Sequence, residues 1–217
     1  MEDTMSGKKG LFVTFEGGDC AGKTTQLRML EAWLKARGRS VICTREPGGT
    51  TLAEKIRGLL LSKDSGELMT PQAELLLFSA ARAQHVKHVV MPQLEAGGVV
   101  LCDRFIDSTV AYQGFARGLD MEFINRLNTF CTAGCLPDLT FLLDLPLEES
   151  RRRLAARSGG DGPDRLEDEK LSFHEKVREG FLAIAAQEPE RVKVIDAMRT
   201  VDEIHADIIE VIENAID

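Results

Sequence analysis

The chain has 217 residues, 43% apolar and 29% charged, the proportions of a globular protein large enough to bury roughly 70% of its unfolded surface without staples. A formal net charge of −8 gives it no basic footprint of a general nucleic-acid binder, so an anionic ligand must be held by local backbone and arginine arrangements and no nucleic-acid polymer is expected as partner. No apolar stretch approaches the roughly eighteen residues of a membrane span, residues 1–9 read as a tail without a secretory core, and the odd set Cys20, Cys43, Cys102, Cys131 and Cys135 suits reduced thiols in the cytoplasm.

In chain order, short apolar runs at 11–15, 40–43, 99–102, 139–143 and 192–195 alternate with segments of helical period. Runs apolar on both faces predict buried parallel strands, and the alternation predicts one α/β domain over 1–217, a five-stranded parallel sheet with helices on both faces. Leu27, Leu30 and Leu34 form the stripe of a first helix. Leu52, Ile56, Leu59 and Leu60 form a second, opened by a capping box of Thr51 and Glu54. A long helix is predicted over 71–94, and a last one carries Val201, Ile204, Ile208 and Ile212 behind Thr200 and Glu203. The glycine-rich stretch 158–164, flanked by Arg151, Arg152, Arg153, Arg157 and Arg165, is a candidate lid over about 150–166.

Gly17-Gly18-Asp19-Cys20-Ala21-Gly22-Lys23-Thr24 matches G-x-x-x-x-G-K-[ST] between the first run and the first helix, and Thr25 follows it. Such a loop turns successive N–H groups inward at a helix N-terminus and cradles phosphates. Lys23 is expected on the β and γ phosphates of a nucleoside triphosphate and the Thr24 hydroxyl on Mg²⁺. Asp103, at the C-terminal end of the third run, is the expected metal-side carboxylate. A GTPase switch would continue D-x-x-G, whereas Asp103-Arg104-Phe105-Ile106 has no glycine, and the fourth run ends in Leu143-Asp-Leu-Pro146 without N-K-x-D. Arg45 and Arg104 stand just beyond strand ends, where guanidinium forks can meet an acceptor phosphate. Phe78 and Arg82, four apart on one helical face, pair a stacking ring with a hydrogen-bond donor. His85 and His88 share that helix without a carboxylate or cysteine close in sequence, and Cys131-x-x-x-Cys135 has no second pair, so neither reads as a metal site.

The segments 15–26, 44–50, 78–82 and 103–113, in that order, resemble the thymidylate kinases, which make dTDP from dTMP, and the resemblance extends from about residue 11 to the C-terminus. It implies the P-loop nucleoside monophosphate kinase fold with a short lid, ATP and Mg²⁺, and a homodimer, for whose interface the 71–94 helix and the 107–115 segment are candidates. By the same resemblance Phe78 stacks on thymine, Arg82 donates to its exocyclic oxygen, and Arg45 and Arg104 hold the dTMP phosphate. Asp19 accepts from the 3′-hydroxyl, Tyr112 crowds the 2′ position, Ser108, Thr109 and Gln113 line the pocket, and Arg199 lies near adenine. Cys20 stands where some members carry a basic residue, so the chain resembles the bacterial type whose lid supplies the catalytic arginine, with Arg153 and Arg157 expected first and Arg165 next. Phe105 replaces a commoner tyrosine. Cys20, at a helix N-terminus in an electropositive loop, is either a small residue that simply fits or a reactive thiol whose oxidation or alkylation blocks ATP binding and which ATP protects.

Overall fold

The computed structural model describes residues 10–63, 67–156 and 164–216. The expected tail 1–9, Arg157 and the lid residues 158–163 lie outside them.

Among the described residues the five apolar runs form the strands β1 (Leu11–Glu16), β2 (Val41–Arg45), β3 (Val99–Asp103), β4 (Leu139–Asp144) and β5 (Val192–Asp196), all parallel, in the order β2-β3-β1-β4-β5. Helices cover both faces, as a parallel sheet requires. On one, α1 (Lys23–Ala36) and α9 (Val201–Ile216) pack Leu27, Leu30, Leu34, Ile204, Ile208 and Ile212 against Val13, Phe15, Phe141 and Leu143. Each such leucine contributes ~1.5–3 kcal/mol by leaving water. On the other, α3 (Pro71–His85) continues through a π-helical stretch, Val86–Val90, into α4 (Met91–Glu95), so Val86 and Val90 meet Phe12, Val100 and Phe105. The same face carries α5 (Ile106–Thr109) with a second π-helical stretch, Val110–Ala116, under α8 (Leu171–Gln187), where Tyr112 packs with Phe173 and Phe181. The remaining helices are α2 (Thr51–Leu61), α6 (Met121–Thr132) and α7 (Leu147–Ala156). Among the described residues no helix is long and apolar enough to cross a membrane.

Two local expectations are corrected. The α2 cap is Thr50, whose hydroxyl accepts from Ala53 N, while Glu54 turns to the Gly49 amide and to Arg45. That shift turns Ala53, Ile56 and Leu60 inward and leaves Leu52 and Leu59 exposed. Thr50→Ala should therefore cost about 1 kcal/mol in urea unfolding and Thr51→Ala less than about 0.5 kcal/mol. In α9 the Thr200–Glu203 box is present, but Val201 is exposed, because the box places it on the outer face of the first turn.

Candidate active site

The register places the chemistry at one edge. Arg45 and Phe15 both pair with Asp103, so β1, β2 and β3 end level, and the loops beyond them converge. Gly17, at φ +129, is needed there, because a Cβ would stand 2.3 Å from the Leu143 carbonyl oxygen. Gly22 caps α1 without a side-chain acceptor, which leaves the first amides of that helix facing the cleft. Lys23 is buried and donates from Nζ to the carbonyls of Gly17 (3.1 Å) and Gly18 (2.7 Å). Its pKa is lowered by burial and by Arg104. Thr24 Oγ1 donates to Asp103 Oδ2 at 2.9 Å, which joins the two expected metal-side oxygens.

Arg104 turns back toward this loop because its backbone adopts φ +67, a left-handed conformation costing ~1–2 kcal/mol. Its anchors hold it there. The amide donates to Phe15 O, Nη1 to Gly17 O and Ser108 Oγ, Nη2 to Asp19 Oδ1 at 2.8 Å, and the guanidinium lies over the Tyr112 ring. Burial acts to raise the Asp19 pKa, but Arg104 and Lys23 prevail and hold it low. Behind them Glu16 is fully buried and accepts from Phe105 N, Ser108 N and Ser108 Oγ. Burial, reinforced by the Asp107 carboxylate, pushes its pKa up to about 7.

These groups open into a cleft of about 500 Å³ lined by residues 19–25, Asp103 and Arg104. Its other wall carries Arg45, Phe78, Arg82, Ser108, Thr109, Tyr112 and Gln113. Phe78 is half-buried at the edge of the α2–α3 cluster. Arg82 is buried, with Nε on Glu46 Oε2, Nη1 on Thr109 Oγ1 and Asn128 Oδ1, and Nη2 on the Phe105 carbonyl. Gln113 is held by Glu74 at 2.8 Å, and Tyr112 by the edges of Phe173 and Phe181. Arg45 lies at the rim, paired with Glu54.

The arginines beyond the cleft separate. Arg153 reaches the loop, with Nε on Glu149, Nη1 on Cys20 O and Nη2 on Ala197 O. Arg165 is instead docked on Leu60 O and Glu74, away from the phosphate loop's own contacts. Arg199 is exposed and paired with Asp207, and its neighbour Met198 lines an adjoining groove of about 1420 Å³ beside α7 and α8 that shares Asp19 and Glu167 with the cleft. Glu16, Glu46, Arg57 and Glu167 also stand at or behind the cleft, and no sequence motif marks them. Arg57, on Pro47 O, follows Glu54 by three on the inner edge of α2, a spacing hidden by the misplaced Leu52–Leu59 stripe. His85, read as lacking a carboxylate, has Glu46 2.9 Å away, brought by the loop after β2.

A profile described as thymidylate kinase matches residues 15–208. Among curated relatives, the thymidylate kinase of Syntrophotalea carbinolica is 50% identical over 89% of this chain and 90% of its own, and that of Gloeobacter violaceus 53% over 88% and 89%. The crystal structure of thymidylate kinase from Ehrlichia chaffeensis superposes with a TM-score of 0.76 at 34% identity, covering 94% of this chain and 99% of that one. Sequence kinship and backbone likeness thus span the same strands, phosphate loop and arginine-lined cleft, and this chain belongs to the thymidylate kinase family.

Proposed function

We propose that this chain transfers the γ-phosphoryl group of ATP to dTMP, giving dTDP and ADP. The observation that carries this reading is the single cleft that unites the phosphate loop and the Thr24–Asp103 pair with Phe78, Arg82 and two phosphate-height arginines. The names of the relatives support the acceptor.

In this reading the loop amides and Lys23 take the ATP phosphates, Lys23 exchanging its weak carbonyl partners for charged oxygens. Thr24 and Asp103, two hard oxygen donors already in contact, would hold Mg²⁺, which when bound would supply neutralising charge to the phosphates. Arg45 and Arg104 hold the dTMP phosphate in line. Phe78 stacks on the base, and Tyr112, wedged by two aromatic edges, closes the space a 2′-hydroxyl needs. Asp19, kept ionised by Arg104, accepts from the 3′-hydroxyl. The Nη2 hydrogen that Arg82 does not give to Phe105 points the site at a carbonyl. A donor-only guanidinium meets thymine O4 but opposes the amino group of cytosine. Arg153, whose far nitrogens rest on Cys20 O and Ala197 O, stabilises the moving phosphoryl group in this reading. A homodimer belongs to the same reading, since Leu76 on α3 and Phe123 and Phe130 on α6 are exposed apolar side chains on helices that pack together.

Coupled ADP release should favour dTMP over dCMP and AMP by on the order of 10² or more in kcat/KM, with dUMP between. Faster turnover of another acceptor would move the substrate. ATP binding with no acceptor-dependent turnover would make the chain a nucleotide-binding regulator instead.

A further inference from the structure

The base side of the cleft is backed by a line of polar side chains that runs inward from the partly buried Thr44 to the buried Arg82. Thr44 Oγ1 lies 2.7 Å from His85 Nε2, His85 Nδ1 lies 2.9 Å from Glu46 Oε1, and Glu46 Oε2 accepts from Arg82 Nε at 2.7 Å. His85, Glu46 and Arg82 are all buried. Facing a carboxylate, Nδ1 is the donor of the ring, and Nε2 is left to the Thr44 hydroxyl. Gly49, at φ +83, lies so close that a Cβ there would stand 2.6 Å from His85 Cδ2 and 2.7 Å from Thr44 Oγ1. Glu46 is fixed from its own backbone as well, its amide donating to Asp103 O at 2.9 Å.

Glu46 holds Arg82 at one point, whereas the side-on carboxylate–arginine pairs of the molecule hold at two. Asp144 grips Arg178 side-on through both Nε and Nη2, and Glu149 grips Arg152 the same way. That two-point fork is the strong arrangement for such a pair. Glu46 takes Arg82 through Nε alone, because its second oxygen is on His85. Arg82 Nη2 is thereby left to the Phe105 carbonyl and to whatever enters the cleft.

Resting on the reading of Arg82 as the base donor, we propose that His85, acting through Glu46, is a positioning residue that keeps the Arg82 fork open and so sets the discrimination between a thymine-like carbonyl and a cytosine-like amino group. Without the imidazole, Glu46 rotates to close the fork, consuming the Nη2 hydrogen and tilting the guanidinium. The phosphate loop is untouched.

The test is steady-state kinetics with dTMP, dUMP and dCMP, beside thermal unfolding of each variant. His85→Phe keeps the ring volume and removes both hydrogen bonds. It should raise KM for dTMP about tenfold, leave kcat at saturating dTMP within about twofold and KM for ATP unchanged, and lower the dTMP-to-dCMP preference in kcat/KM about tenfold. The dTMP-to-dUMP ratio should hold, since the methyl group is not read by Arg82. His85→Asn, whose amide donates from the Nδ1 position, should recover most of the preference. A merely structural role would lower Tm in both variants and leave the ratio alone. Thr44→Val, which removes only the outer link, keeps the test open if His85→Phe fails to fold, and should shift the ratio the same way by about twofold to fivefold. An unchanged ratio in a folded His85→Phe or Thr44→Val enzyme overturns the inference while dTMP kinase activity stands. Wild-type protein that does not phosphorylate dTMP overturns the underlying reading and this inference with it.

Discussion

Arg153→Ala should bind both nucleotides with near-normal affinity and turn them over on the order of 10³ times more slowly, a loss of ~4 kcal/mol in the transition state. Arg153 is tethered at one end and loosely satisfied at the other. Hydrogen bonds from Arg152 and Arg153 hold the Glu149 pKa down to about 2, so the tether persists across the working pH range. The far nitrogens rest on two neutral carbonyls, Cys20 O at 3.4 Å and Ala197 O at 3.2 Å. A phosphoryl oxygen in transit is a far better acceptor than either, so the guanidinium gains most when that charge develops. Arg165 has the opposite arrangement. Its Nε is on Leu60 O at 2.8 Å and its Nη2 is 2.7 Å from the buried carboxylate of Glu74, which also holds Gln113. Arg165→Ala should therefore raise KM for dTMP and lower Tm while sparing kcat within about tenfold. Single-turnover rates at saturating ATP and dTMP separate the two. A fall of less than about tenfold for Arg153→Ala, beside a larger one for Arg157→Ala, would move the catalytic role along the lid.

What the sequence disclosed and what it hid follow from where each signal is written. The strands were legible because burial on both faces demands runs such as Val99–Leu101 that no exposed segment tolerates. The phosphate loop was legible because wrapping backbone around an anion demands glycines at fixed spacing. Phe78 and Arg82 were legible as a pair because α3 puts positions four apart on one face, and both line the cleft. The supporting residues were not, because their partners are remote. Glu46 meets Arg82 and His85 across 36 and 39 residues, and Glu16 meets Ser108 across 92. No periodicity encodes such meetings; sheet register and loop closure produce them. The cap of α2 was misread by one residue because adjacent Thr50 and Thr51 both offer a hydroxyl, and only the loop's return through Gly49 decides which one faces the helix amides. The two π-helical stretches leave no comparable mark, since apolar residues such as Val86 and Val90 fit an α pattern equally well.

Glu16→Gln should gain stability relative to the wild type as pH rises from 4.5 to about 7, by about 3 kcal/mol over that interval. The native carboxyl is raised to about 7 by burial first and by Asp107 second, against the opposing pull of Arg104, while the unfolded chain ionises near 4.5. Between those values the unfolded state has lost the proton that the native state retains, so the stability Glu16 contributes is fully present below pH 4.5 and is lost as pH climbs through about 7, after which the difference is level. Glutamine reproduces the neutral acid. Its oxygen accepts from the Phe105 and Ser108 amides, and its NH₂ group donates to a reoriented Ser108 hydroxyl. Urea unfolding of both proteins at pH 5, 6, 7 and 8 yields the difference curve, in which titrations common to the two cancel. The consequence reaches the cleft, because the amides that Glu16 holds begin the segment carrying Thr109 and Tyr112, and Arg104, proposed above to hold the acceptor phosphate, lines the cleft beside Glu16. Above pH 7 an ionised Glu16 draws Arg104 inward, and KM for dTMP should rise in the wild type but not in Glu16→Gln. A flat difference curve from pH 5 to 8 would mean that Glu16 is charged throughout, its cluster then holding two buried carboxylates, Glu16 and Asp107, against Arg104 and Arg191.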